Sequence, residues 1–340
     1  MPQQLQTKKV HIEILRIIAA FFVIVNHTNS IIFLNSQPSP LWFTSLAYFF
    51  ASKTAVPVFV MIMGAVLIDK QDNLSKYIAR ISRIAVVTAF FSVVAYAFNG
   101  GGLSAKNVIK QILNSSNEPY WYLYLYLGLL LILPFMQKLA QVLSKKDIQI
   151  LILVTLVAGG ILPMLKAVGL TVHTSFYDGI LSPYIGMVFA GYYIEKYANI
   201  TKKSAVWAAA GFVAMIAVQT ALTFKTYNSK GGADYLWLDN VKFVTVTFTA
   251  VCLYVVVKYI LGQAKIGVKA TKVMCYIGSL TFGIYLMGDF FKVVFAPLYT
   301  ALSGYLPAMA AVVIYEIAIF AAAAVVTAVL KFIPIVKKLI

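Results

Sequence analysis

Apolar blocks of about 20 residues recur along the whole chain, separated by short polar stretches that carry most of the charge. A block of that size is the length of helix needed to cross about 30 Å of hydrocarbon. This pattern constrains the fold more tightly than any other, because a chain built this way has nowhere in water to hide its apolar surface. Composition agrees. Of 340 residues, 61% are hydrophobic and 11% charged, against roughly 25% charged in soluble domains. Soluble, disordered and fibrous classes are excluded. Strands of a membrane barrel would be about ten residues long and alternating, which these blocks are not. The chain therefore reads as an all-α membrane protein with about ten transmembrane helices. The expected spans are 12–34, 45–68, 81–99, 119–137, 148–165, 179–195, 204–224, 241–261, 273–295 and 307–331. They fill residues 1–340 as one polytopic domain, with no separate soluble domain expected. The first block has a basic flank but no small-residue cleavage site, so it reads as a retained span.

Charge sets the expected orientation. Counting helix ends, 20 of the 28 Lys and Arg residues fall on the side of both termini and 8 on the other. By the positive-inside rule both termini are expected in the cytoplasm, in a membrane crossed many times. The same bias accounts for most of the net charge of +17. That charge is spread over short loops between spans, so no nucleic-acid partner is expected. Membrane lipids are the ordinary neighbours of such a surface, and the oligomeric state is left open. Cys252 and Cys275 lie in apolar blocks and form no CxxC pattern, so neither a disulfide framework nor a metal site is expected. Pro57, Pro134 and Pro183 fall within apolar blocks and predict kinked spans. The segment LSAKNVIKQILNSS places Leu103, Val108, Ile109, Ile112 and Leu113 at mostly helical spacing and predicts a helix along the outer membrane surface.

Ionisable groups inside a span are costly and mark functional sites. Arg16 opens the first span and His27 lies eleven residues on. Eleven residues turn about 1100° and rise about 16 Å, which puts both on one helix face, Arg16 at the mouth and His27 deep. Glu13 stands one turn before Arg16 and can pair with it. An imidazole titrates near neutrality, so His27 suits general-base work on a hydroxyl or could carry an acyl group. Satisfaction by neighbours such as Asn26 or Thr28 is the structural alternative. Lys76, Arg80 and Arg83 cluster before the third span, with the two arginines adjacent on a helix face. Arginine forks match phosphate, while ordinary topology charge or headgroup contact is the alternative. Lys53, four residues before Pro57, enters the second span from outside and either faces a cavity or snorkels. Glu118, Trp121 and Tyr122 open the fourth span and read either as an interfacial aromatic belt or as a sugar-binding wall. The outer loop with Asp234, Tyr235, Trp237 and Asp239 invites the same two readings. Asp289 and Lys292, three residues apart in the ninth span, can pair with each other.

Taken in order, these motifs resemble the membrane acyltransferase 3 family of bacterial integral-membrane O-acyltransferases. Arg16 and His27 match its first-helix pattern of arginine, ten residues, histidine. PVFVMIMG, Pro57 to Gly64, is similar to its second helix, with Met63 where serine is usual, and Lys53 matches the basic residue upstream. ARISRI matches its arginine-x-x-arginine before the third helix. WYLYLYLGLLLILP, SPYIGMVFAGYYI and SLTFGIYLMGDFF resemble its fourth, sixth and ninth helices. Gly288 stands where the ninth-helix motif usually ends in histidine, and Pro119 or Tyr120 where a histidine commonly precedes the fourth-helix tryptophan. The resemblance implies transfer of an acyl group, acetyl as the first expectation, from cytoplasmic acyl-CoA to a hydroxyl of an extracytoplasmic glycan or lipid-linked sugar. It implies His27 as base or transient acyl acceptor beside Arg16, donor phosphates at Arg80, Arg83 and Lys76, and acceptor contacts from Lys53, Glu118, Trp121 and Tyr122. No appended hydrolase-like domain is found, so the chain is expected to complete its transfer alone. A transporter or flippase for a polar or lipid-linked solute is the rival reading of the same spans, and a ligand-binding sensory module is the third.

Overall fold

The computed structural model describes residues 10–70, 72–167, 170, 182–230 and 240–340. Among these residues there is no strand, as a bilayer requires of spanning segments that do not close a barrel. In chain order the helices are α1 Val10–Thr28, α2 Ser30–Phe33, α3 Pro40–Ser52, α4 Ala55–Leu67, α5 Leu74–Phe98, α6 Ala105–Leu113, α7 Trp121–Val142 and α8 Lys145–Ala167. They continue with α9 Pro183–Lys196, α10 Lys202–Lys230, α11 Val244–Gln263, α12 Val268–Val294, α13 Ala296–Ser303, α14 Ala308–Leu330 and α15 Pro334–Leu339. Nine helical segments among the described residues are long and apolar enough to cross a membrane. The sixth expected span falls on α9, which has 14 residues and so runs only about 21 Å.

Side chains that a soluble protein would bury are exposed here. Phe135, Trp207 and Val213 are 71%, 69% and 66% exposed, as suits helices bathed in lipid tails. The helix α6 is inverted relative to a soluble amphipathic helix: Gln111 is buried, while Ile109, Ile112 and Leu113 face outward. That is the face a helix lying on a membrane surface would insert.

The chain divides into two compact units, 1–67 with 143–279, and 68–142 with 280–340. In the first, α4 and α9 form the centre, with α8 against α9 and α1 against α4, α3 and α11. Backbones touch where α4 meets α9. A Cβ on Gly64 would lie 1.8 Å from the Val188 carbonyl oxygen, and one on Gly191 would lie 1.9 Å from that of Met61. Small residues at such crossings let two helices gain dispersion contact along their whole length. An aromatic layer of Phe33, Trp42, Phe49, Phe50 and Phe243 closes the region between α2, α3 and α11. In the second unit, α5 packs on α6, α7 and α15, and α14 on α13. The last turns of α12 join it through Phe290, whose ring meets those of Phe91 and Phe98.

The prolines divide. Pro134 stays inside α7. Pro57 lies just beyond a break: α3 ends at Ser52 and α4 starts at Ala55. Proline lacks the N–H that would bond the carbonyl four residues back, here that of Lys53. Ser52 and Thr54 are fully buried at the break; their hydroxyls donate to the carbonyls of Phe49 and Ala51 at 2.7 Å each. Pro183 differs from expectation. It opens α9 at its first turn, capped by Ser182, where a fixed φ and a missing N–H cost nothing, so no kink arises there.

Candidate functional site

The first helix carries the chemistry of the first unit. Both Arg16 and His27 belong to the uninterrupted α1, so the eleven-residue spacing places them on one face as expected. The Arg16 Nη1 donates to both carboxylate oxygens of Glu13, at 3.0 and 3.2 Å. Glu13 is only 8% exposed, and a glycine makes room for it: a Cβ on Gly278 would sit 2.3 Å from its Oε2. A short charged side chain held this way fixes the arginine head.

Deeper in α1, His27 is partly buried. Around it, Thr28 donates its hydroxyl back to the Ile24 carbonyl at 2.8 Å. Asn29, between α1 and α2, donates Nδ2 to the Ser45 carbonyl of α3 at 2.6 Å. The Asn26 Oδ1 is buried with no hydrogen-bond partner among the described residues. Buried acceptors are seldom left in that state, and this one sits next to the histidine in sequence.

The sequence reading missed a second cluster in this unit. The carboxylate of Glu195 on α9 is 5% exposed and lies 2.9 Å from His11 Nε2 and 3.3 Å from Lys258 Nζ. Tyr254 also donates to Glu195, at 3.2 Å, and Lys258 donates to the Ile194 carbonyl at 2.6 Å. The cluster gathers α1, α9 and α11 at the end where Arg16 begins its span. Its one signal in the sequence is Lys258, a lysine inside the apolar run VVVKYI.

Lys53 is not at a mouth. It caps the C-terminus of α3, halfway along the 28-residue segment Pro40–Leu67, with Nζ 4.5 Å from the Phe49 ring centroid. The expected span had begun five residues too late, which made a central lysine look peripheral.

The second unit holds the arginine pair. Asn73 caps α5 by accepting from the Lys76 N–H at 3.0 Å, and one turn on come Arg80 and Arg83. Arg80 Nη2 pairs with Asp72 Oδ2 at 2.6 Å, while its Nη1 is buried without a hydrogen-bond partner among the described residues. Arg83 Nε donates to the Leu339 carbonyl at 2.9 Å, and its head stands 5.5 Å over the Phe282 ring. Both arginines line one open pocket of about 540 Å³ with Ser82 and Lys338. The side chain of Lys76 is exposed and outside that lining. Lys331, just past α14, is held below the ordinary lysine range by burial first, then by the positive charges of Arg83 and Lys337.

At the start of α7, Glu118 is exposed on a short 3-10 turn and Trp121 is 40% exposed. Tyr122 turns inward, its ring 5.9 Å from those of Tyr126 and Tyr285. Tyr120 donates to the Leu286 carbonyl at 3.0 Å, and Tyr285 donates to the Pro119 carbonyl. These bonds fasten the turn that precedes α7 to α12. The expected Asp289–Lys292 pair is present at 2.7 Å. The loop containing Asp234, Tyr235, Trp237 and Asp239 lies outside the described residues. No group of three or more His, Cys, Asp or Glu side chains able to hold a metal occurs among the described residues, and Cys252 and Cys275 are free and buried.

The described residues thus form an apolar helical chain whose first helix carries an arginine and a histidine on one face, the pattern of the family it resembles in sequence. The comparison with known families agrees: the acyltransferase 3 family, described as an acyltransferase domain, matches residues 10–332. The chain belongs to that family. No curated protein and no solved structure matches it.

Proposed function

We propose that the protein transfers an acyl group, acetyl in the simplest case, from acyl-CoA to a hydroxyl on a glycan or lipid-linked sugar, with the donor approaching from the cytoplasm and the acceptor from the opposite side. The observation that carries this reading is the α1 face, on which Glu13 holds Arg16 three turns from His27. In the base route, His27 takes the acceptor hydroxyl proton as its oxygen attacks the thioester carbonyl. The C–S bond breaks, and the imidazolium returns the proton to the departing thiolate. In the carrier route the acyl group rests first on the ring nitrogen and is then taken by the hydroxyl. Either way one ester and one free thiol form, and the histidine is regenerated.

Arg80 and Arg83 suit the donor phosphates because a guanidinium offers charge and a fork of donors. Lys76 is exposed near them and adds charge at longer range. Lys53, Glu118, Trp121 and Tyr122 are the proposed acceptor contacts. Lys53, a cation capping a broken helix, is better placed for this than its sequence position implied, and Tyr122 less so, since its ring packs against tyrosines. Membership of an acyltransferase family favours this reading over transport.

The experiment is turnover by purified protein supplied with acetyl-CoA. Release of free thiol that depends on an added sugar acceptor is expected. No thiol release in the wild type, with folding intact, would remove the donor assignment. An acyl group trapped on His27 after brief mixing selects the carrier route, and its absence during turnover selects the base route.

A further inference from the structure

The outward face of α5 carries Val86, Phe90 and Val94 at steps of four residues, 53%, 60% and 36% exposed. With Met287 and Phe290 of α12 and the α15 residues, they wall a cleft of about 460 Å³ in which every lining side chain is apolar. The cleft shares Val86 and Leu339 with the basic pocket, so it opens directly off Arg83 and Lys338. Positive charge there is dense. Arg80, Arg83 and Lys338 line the pocket, and Lys331 is close enough to Arg83 and Lys337 to feel both. Asp72 pairs with Arg80.

We propose that the cleft and the basic pocket together form one site for an anionic phospholipid, with an acyl chain along Val86, Phe90 and Phe290 and the phosphate against Arg83 and Lys338. Basic pockets between spans at the lysine-rich end of a membrane protein recognise anionic headgroups. The geometry separates this ligand from the donor. In acyl-CoA an amide-bearing pantetheine arm lies between the phosphates and the acyl group. A wholly apolar cleft beginning beside the cations offers those amides nothing, and burying them unpaired is costly. In a phospholipid the phosphate and the chains hang from the same glycerol, so charge and hydrocarbon are adjacent, as pocket and cleft are. The inference goes beyond the donor reading and overlaps it only at the arginines, where lipid and coenzyme would compete.

The test is native mass spectrometry of the full-length protein, released from detergent after incubation with phosphatidylglycerol or phosphatidylcholine, alongside calorimetric titration of coenzyme A. The wild type should retain phosphatidylglycerol at least fivefold better, the factor corresponding to about one cation. Val94→Trp fills the cleft away from the arginines and should lose retention with coenzyme A affinity unchanged. Val94→Phe repeats the change with a smaller ring, should the tryptophan impair folding. Lys338→Gln should erase the preference between the two lipids. Equal retention of both lipids by the wild type, or full retention by the cleft-filling variants, overturns the proposal. So does a Lys338→Gln variant that changes only coenzyme A affinity, which assigns the pocket to the donor alone. Failure of coenzyme A to bind the wild type would instead sink the donor reading and leave the lipid result standing.

Discussion

Arg16 and His27 could be placed together by counting alone, because one helix converts an interval in sequence into a fixed angle and rise. The consequence is a sharp expectation for His27→Ala. A positioned base contributes about 10²- to 10⁴-fold, so acyl transfer should fall by at least about a hundredfold, while expression and coenzyme A binding stay near wild type. Near-normal turnover would take His27 out of the mechanism. For Arg80→Ala with Arg83→Ala, the loss should appear in binding. Charged hydrogen bonds are worth about 1.5–3 kcal/mol, so coenzyme A affinity should drop at least roughly tenfold by calorimetry. Glu195 was illegible for the opposite reason. Its partners His11, Tyr254 and Lys258 sit on two other helices, and nothing local in the sequence brings them together. Lys258→Ala leaves that carboxylate short of a cation. Breaking a fully buried pair costs about 3–5 kcal/mol. Lys258 is partly exposed at 21%, so about 2 kcal/mol, seen as a lower melting temperature in detergent, is the expected loss.

Helices were easier to find than their interruptions. The apolar blocks marked α1, α7 and α8 well, since length and hydropathy are local properties, but the expected third span missed the first two turns of α5, where Lys76 and Arg80 interrupt the apolar run. Pro57 and Pro183 looked alike in the sequence but differ in outcome, because a proline breaks a helix only when a turn already precedes it. Pro183 has Ser182 before it as a cap, whereas Pro57 follows thirteen residues of α3. The contact of α4 with α9 was also hidden. Gly64 and Gly191 are ordinary in composition, and only the structure shows carbonyls within 2 Å of where their Cβ atoms would be. Gly191→Leu must therefore move backbone, not a side chain. Overpacking typically costs about 1–3 kcal/mol, and a loss at or above the top of that range is expected. A melting temperature equal to wild type would mean the two helices can separate freely.

At the scale of the whole chain, composition gives a membrane protein and the family match over residues 10–332 an acyltransferase. Orientation rests on the 20-to-8 distribution of Lys and Arg and has its own test. Single cysteines replacing Lys202 or Lys265 should react with an impermeant thiol reagent only after the cells are opened. A cysteine replacing Lys106 should react in intact cells, and the reverse result would invert the mechanism. Native Cys252 and Cys275 are buried and should give little background. The break before Pro57 bears on how such a chain can change over time. Pro57 removes the backbone donor that the Lys53 carbonyl would have in a continuous helix, where hydrocarbon offers no water instead, while the Ser52 and Thr54 hydroxyls reinforce the Phe49 and Ala51 carbonyls, which also accept backbone N–H groups. Replacing the ring would restore that donor, so a chain that loses Pro57 can join the two rods and lose the elbow at which the cation sits.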